Sequence, residues 1–145
     1  MSWEGLYSLL NLSAVFGWLL LIAAPRHWRL LGLVPRYVVP GAIAVVYSGL
    51  MAAHYAQSGG GYGSLEAVRR LMAHDPVLLA GWAHFLAFDL VVGVLLAERM
   101  DRVGVGRVLQ APALIATFLF GPIGWLLGLA TEAGARWRGR LVAEA

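Results

Sequence analysis

Residues 111–130 read APALIATFLFGPIGWLLGLA. The stretch carries no charge and is as long as a bilayer crossing requires, since a hydrocarbon core of about 30 Å takes roughly 20 helical residues. Its reading decides the fold: as one helix, it is the fourth span of a membrane protein. Gly121-Pro122 falls at its middle. A proline inside a helix removes one backbone hydrogen bond and bends the axis. The expectation is a kinked fourth span over 111–130, with a carbonyl left free at the bend.

The composition fits a bilayer. Of 145 residues, 60% are apolar and 13% charged, against about 25% charged in soluble domains. Mean hydropathy is +0.73. All eleven basic residues are Arg, and there is no Cys, which excludes disulfides and thiolate metal sites. The net charge of +3 is spread over several loops and forms no basic stripe, so nucleic acid is not an expected partner. Arg without Lys, beside much Ala, Leu and Gly, suggests a GC-rich bacterial genome and a bacterial inner membrane.

Three further stretches meet the length of a span. The first is 5–24, GLYSLLNLSAVFGWLLLIAA, closed by Pro25-Arg26. Glu4 is the only early charge, so the basic start of a signal peptide is lacking and the span is read as retained. The second is 37–55, with Pro40 in its first turn and Tyr37 and Tyr55 at its ends, as interface aromatics stand. Its small residues, from Gly41 to Ala53, allow close helix–helix approach. The third is 76–97, with Asp75 as N-cap. Between the second and third, LEAVRRLMAH places Leu65, Val68, Leu71 and Met72 at helical spacing, which predicts a short helix on the membrane surface. The reading is all-α: one membrane domain over 1–145, a four-helix bundle with an interfacial helix between spans two and three. Six Arg on one side against five on the other leave the orientation open by count. The three Arg after span one, with none before it, place both termini outside the cytoplasm.

Depth follows sequence at about 1.5 Å per residue. With four alternating spans, Asn11, His54, His84 and Glu132 share one half of the membrane, and Asp89 lies near mid-depth. A charge at mid-bilayer costs at least about 2.5 kcal/mol, so Asp89 should face the bundle interior and is a functional candidate. The bland alternative is an interhelical hydrogen-bond clamp. His84 and Asp89, five residues apart, lie about 140° apart round the helix and should not touch. Trp82, Phe85 and Phe88 supply aromatic surface, and Thr117 is expected to bond its own helix. Two histidines on neighbouring spans raise bis-histidine haem ligation. His54, His84 and Glu132 raise a metal site. Neither is adopted as a cofactor. SGGGYGS lacks the Lys and helix context of a phosphate loop.

GWAHFLAFDLVVG (81–93) and, about thirty residues on, TFLFGPIGWLLG resemble the family of small four-span membrane proteins related to plant abscisic-acid-deficient-four, which is linked to neoxanthin synthesis. The matching residues are Trp82, His84, Phe85-Leu86, Asp89-Leu90, Phe120 and Pro122-Ile123-Gly124. The resemblance implies a carotenoid-linked role. In plants the family is required to turn the epoxide of violaxanthin into the allene of neoxanthin, an isomerisation that needs an acid at oxygen and a base at carbon. On that reading Asp89 and His84 are the catalytic pair. Trp82, Phe85, Phe88, Asn11, His54, Phe120 and Pro122 form the substrate groove. The partners are a carotenoid or other apolar isoprenoid and the bilayer, with a homo-oligomer left open. A carotenoid- or partner-binding module without catalysis, and a haem or quinone protein, are the alternatives.

Overall fold

The computed structural model describes residues 2–25 and 28–143; Arg26 of the expected first stop lies outside them. Every element among these residues is helical: α1 (Trp3–Ala23), α2 (Arg29–Leu33), a π-helical turn (Val34–Val38), α3 (Val39–His54), a 3-10 turn (Ala56–Ser58), α4 (Leu65–Met72), α5 (Asp75–Arg102), α6 (Arg107–Phe120) and α7 (Pro122–Ala143). Three helices are long and apolar enough to cross a membrane: Trp3–Ala23, Leu31–His54 and Asp75–Arg102.

Local chemistry sets the ends of these helices. Ser2 caps α1 by accepting from the Gly5 amide, and Ser64 caps the surface helix α4 by accepting from Ala67, each satisfying an otherwise orphan N–H. The third span starts one residue earlier than expected, with His74 at the cap position and Pro76 within the first turn. The second span starts earlier too, because a helical path through α2 and the π-turn leads into α3. The extra residue per turn places Pro35, whose ring bars an ordinary helical bond, in the wider turn.

α5 is the central post, buried along its length from Val77 and Ala80 through Leu90 to Leu96 and Met100. α1 runs beside it in the same direction. Gly17 lies against Leu90, where a Cβ would stand 2.7 Å from the Leu side chain, and the Trp18 ring occupies the space that a side chain at Gly93 would need. α3 runs the opposite way, with Tyr47 on His84 and His54 on His74, and Arg36 paired with Glu98 near the other end. The small residues of α3 do not mediate this packing. Gly41, Ala42, Ala44, Gly49, Ala52 and Ala53 are exposed, and a Cβ at Gly41 or Gly49 would meet nothing within 4 Å.

The stretch 111–130 is not one span. α6 stops at Phe120, Gly121 turns the chain with φ 49° and ψ −96°, and α7 starts at Pro122. The two helices then lie side by side. Gln110 donates to Asp101 at 2.6 Å and the Trp18 and Phe118 rings meet at 5.6 Å, so α6 descends along α5. Gly128 packs on Leu96 and Arg99 donates to Glu132 at 2.8 Å, so α7 climbs back. The expected kinked span is a re-entrant hairpin that reaches only the level of Asp89. Pro122 explains the difference: it occupies the first position of a new helix, where its missing N–H has no partner to lose.

Two consequences correct the sequence reading. Glu132 lies at the end of α5 that carries Arg99, in the opposite half from His54 and His84. The C-terminal end of α7 lies on the side of the α5–α6 turn, so the N- and C-terminal ends of the described chain are on opposite faces of the helical layer.

Candidate functional site at the hairpin tip

Asp89 faces the turn of the hairpin. Its Oδ1 lies 2.9 Å and its Oδ2 3.4 Å from where a Cβ on Gly121 would stand. Oδ2 is buried and has no hydrogen-bond partner among the described residues. The positive φ at Gly121 and the closeness of the carboxyl both require glycine there. Irregular backbone at membrane depth survives only when covered by protein or lining a cavity, and Gly121 is buried.

Glycine spacing holds the hairpin shut. A Cβ on Gly124 would overlap the Thr117 backbone, and one on Gly128 would overlap the Leu96 side chain. Gly124, Gly128 and Glu132 therefore form a buried stripe of α7, continuing from the buried Gly121 turn. Thr117 is fully buried and donates to the Ala113 carbonyl of its own helix at 2.8 Å, as expected. At the far end Glu132 is 4% exposed and accepts from both Arg99 and Arg136. Hydrogen bonds from Arg99, then from Arg136, hold its carboxyl below the usual carboxylate range.

From Asp89 towards the α4 side, no part of the hairpin covers α5. Leu78, Trp82, Phe85 and Asp89 are spaced four, three and four apart, which places them on one face of the helix. Trp82 and Phe85 stack at 5.5 Å. With Tyr7, Leu78 and Met72 they line a cleft of about 610 Å³ between α1 and α5. The Trp82 indole N–H donates to Asn11 Oδ1 at 3.2 Å, and the Asn11 amide donates to the Tyr7 carbonyl at 2.8 Å. Trp82 and Phe85 thus belong to one wall, with Asn11 bonded to Trp82 and Asp89 one turn beyond Phe85 on the same face of α5. Phe120 and Pro122 flank the Gly121 turn and are exposed.

The other expected site residues lie elsewhere. His84 is exposed, stacked on Phe88 at 4.5 Å and against Tyr47 of α3 at 5.6 Å. This His84–Phe88 pair is on a different face of α5 from Asp89, as the 140° separation predicts. His54 sits at the surface, edge-on to Trp3 at 5.8 Å and 6.0 Å from His74. The levels of His74 and His84 on α5 differ by about 15 Å, so His54 and His84 cannot ligate one iron. Glu132 cannot join them in a metal site. Among the described residues no three His, Cys, Asp or Glu converge on a metal position.

A family model described as ABA DEFICIENT 4-like matches residues 5–127, from the start of α1 through the hairpin turn. The chain belongs to the ABA DEFICIENT 4-like family. Membership makes it a carotenoid- and neoxanthin-related membrane protein, in agreement with its three long apolar helices. Comparison with curated proteins and with solved structures gives no match. In this ABA DEFICIENT 4-like chain, both motifs that carried the resemblance meet at one place. GWAHFLAFDL supplies the wall with Asp89, and GPIGWLLG is the turn and packing stripe that closes on it.

Proposed function

We propose that the protein is a membrane-embedded isomerase of xanthophyll metabolism in which one carboxyl, Asp89, carries the proton chemistry. The observation that supports this is Asp89 at the hairpin tip with Oδ2 unpartnered among the described residues, one turn from an open aromatic cleft. A long apolar polyene fits the cleft wall of Trp82, Phe85 and Tyr7. Charging a carboxyl at this depth costs at least about 2.5 kcal/mol, which favours the form that has a proton to give.

The balance is simple. The acid proton goes to the epoxide oxygen as the carbon–oxygen bond to the polyene-side carbon breaks. The oxygen stays on the other ring carbon as a hydroxyl. The cation is delocalised into the polyene. Loss of one proton from the adjacent polyene carbon then forms the cumulated double bond. The two transfers occur on neighbouring atoms, and His84 is on another face of the helix. The same carboxyl takes back the proton it gave, one oxygen donating and the other accepting. No net oxidant or base is consumed.

A cell that makes violaxanthin, transformed with this gene, should accumulate an allenic isomer of the same mass, seen by chromatography of its pigments. Retention of unaltered carotenoid on the purified protein, with no conversion in the cell, would leave the binding-module reading instead. We also place the arginine-rich side in the cytoplasm. With the hairpin returning, Arg29 and Arg36, Arg99, Arg102 and Arg107, and Arg136, Arg138 and Arg140 of the described residues fall on one side. Only Arg69 and Arg70 remain on the other. That bias orients the chain with its N-terminus outside and its C-terminus inside. A C-terminal green fluorescent protein should fluoresce and a C-terminal alkaline phosphatase should be inactive; an active phosphatase would reverse the orientation.

A further inference from the structure

The hairpin fills only one half of the depth beside α5, and this leaves the cleft blind. Its innermost lining residue on α5 is Phe85, one turn from Asp89 and the Gly121 turn. From there it follows Trp82 and Leu78 to Asp75, about 15 Å along the helix, and it opens sideways at exposed Leu78, Trp82 and Tyr7. It therefore communicates with one leaflet, the one opposite eight of the ten arginines among the described residues.

The rim of the cleft carries charge of one sign. Glu4 of α1 and Asp75 of α5 both line it, and among the described residues no Arg or His does. Arg69 of α4 is paired with Glu66 at 2.5 Å. His54 and His74 line the adjoining depression beyond Trp3. An entering head group thus meets two carboxylates at the mouth, with the Asp89 carboxyl one turn beyond the inner end. Among the described residues it finds no cation to balance a phosphate or carboxylate of its own, and like charge is disfavoured there. What the wall does offer is neutral hydrogen bonding. Asn11 has one amide N–H and one oxygen lone pair beyond its bonds to Tyr7 and Trp82.

We propose that this half-membrane cleft is loaded from the non-cytoplasmic leaflet and that Glu4 and Asp75 act as a charge filter, admitting isoprenoid amphiphiles with neutral heads and excluding anionic ones. The proposal rests on the functional reading above for the nature of the polyene tail. The filter itself rests on the rim.

Retinol and retinoate test it, because they share one tail and differ in the head. The full chain in nanodiscs of zwitterionic lipid should bind retinol at least about tenfold more tightly than retinoate, a gap of about 1.4 kcal/mol, followed by energy transfer from tryptophan. The Glu4→Gln, Asp75→Asn variant should bring the two affinities together. The chain has no Cys, so Leu78→Cys gives a unique thiol at the rim. A membrane-impermeant maleimide should label it in spheroplasts without permeabilisation, and retinol should slow the labelling. Equal binding of both heads by the unaltered chain, an unchanged preference in the double variant, or labelling only after permeabilisation would each overturn the proposal. Glu4→Gln alone changes an exposed side chain and should narrow the gap even if Asp75→Asn impairs folding. Asp89→Asn should keep the head-group preference while losing conversion. Loss of conversion with the preference intact separates failure of the catalytic reading from failure of the filter.

Discussion

Gly124→Ala should unfold the hairpin while leaving the three long helices in place. The added Cβ falls on the Thr117 backbone, which is held in α6 and cannot step aside as a flexible side chain would. Overpacking of this kind costs about 1–3 kcal/mol. Gly121→Ala adds a strained positive φ of similar cost and pushes a methyl group onto Asp89. Together they should lower the melting temperature by roughly 10 °C or more. Gly49→Ala is the control. Gly49 lies in a helix with open space about it, and alanine is favoured there by up to about 1 kcal/mol. Thermal unfolding of the purified variants, followed by circular dichroism, measures all three. A Gly124→Ala protein as stable as the unaltered chain would mean that α6 and α7 do not pack as a hairpin. A continuous span would instead leave residues 117 and 124 about 10 Å apart along one axis.

That comparison also explains what the sequence made legible. The first three spans follow from unbroken apolar length, and the surface helix α4 follows from the spacing of Leu65, Val68, Leu71 and Met72. The separation of His84 from Asp89 follows from helical geometry alone. The hairpin was hidden because length counts apolar residues without knowing their direction. Twenty apolar residues make one crossing or two half-crossings equally well. Three local signals favour the second: Gly-Pro is a turn dipeptide, proline is at home at a first helical position, and Gly124 and Gly128 are spaced for close packing. Reading the same proline as a kink moved Glu132 to the wrong side. It also divided eleven arginines six to five, where the hairpin divides those of the described residues eight to two.

Asp89→Asn should abolish conversion, and His84→Ala should not. Asparagine keeps the size and hydrogen bonding of the side chain but has no proton of suitable acidity to deliver. General acid–base transfer is worth about 10²–10⁴-fold, so the loss should reach at least a hundredfold when conversion is measured in a violaxanthin-making host. His84 packs on Phe88 and Tyr47 on another face of α5, and removing it should leave at least half of the conversion. Expression level and thermal stability, measured alongside, separate chemistry from folding. Asp89 is half-buried and its Oδ2 has no partner among the described residues to strand, so Asp89→Asn should fold normally. The pair of variants distinguishes two mechanisms that the motif alone cannot. If an imidazole takes the carbon-bound proton, both variants fail together. If one carboxyl both gives and takes, only Asp89→Asn fails. An inactive His84→Ala protein that folds and binds retinol normally would move the base to the histidine. The open side of the tip would then have to lie between α5 and α3 rather than between α5 and α1. Full activity in Asp89→Asn would remove the carboxyl from the chemistry and leave it a hydrogen-bonding group of the hairpin turn.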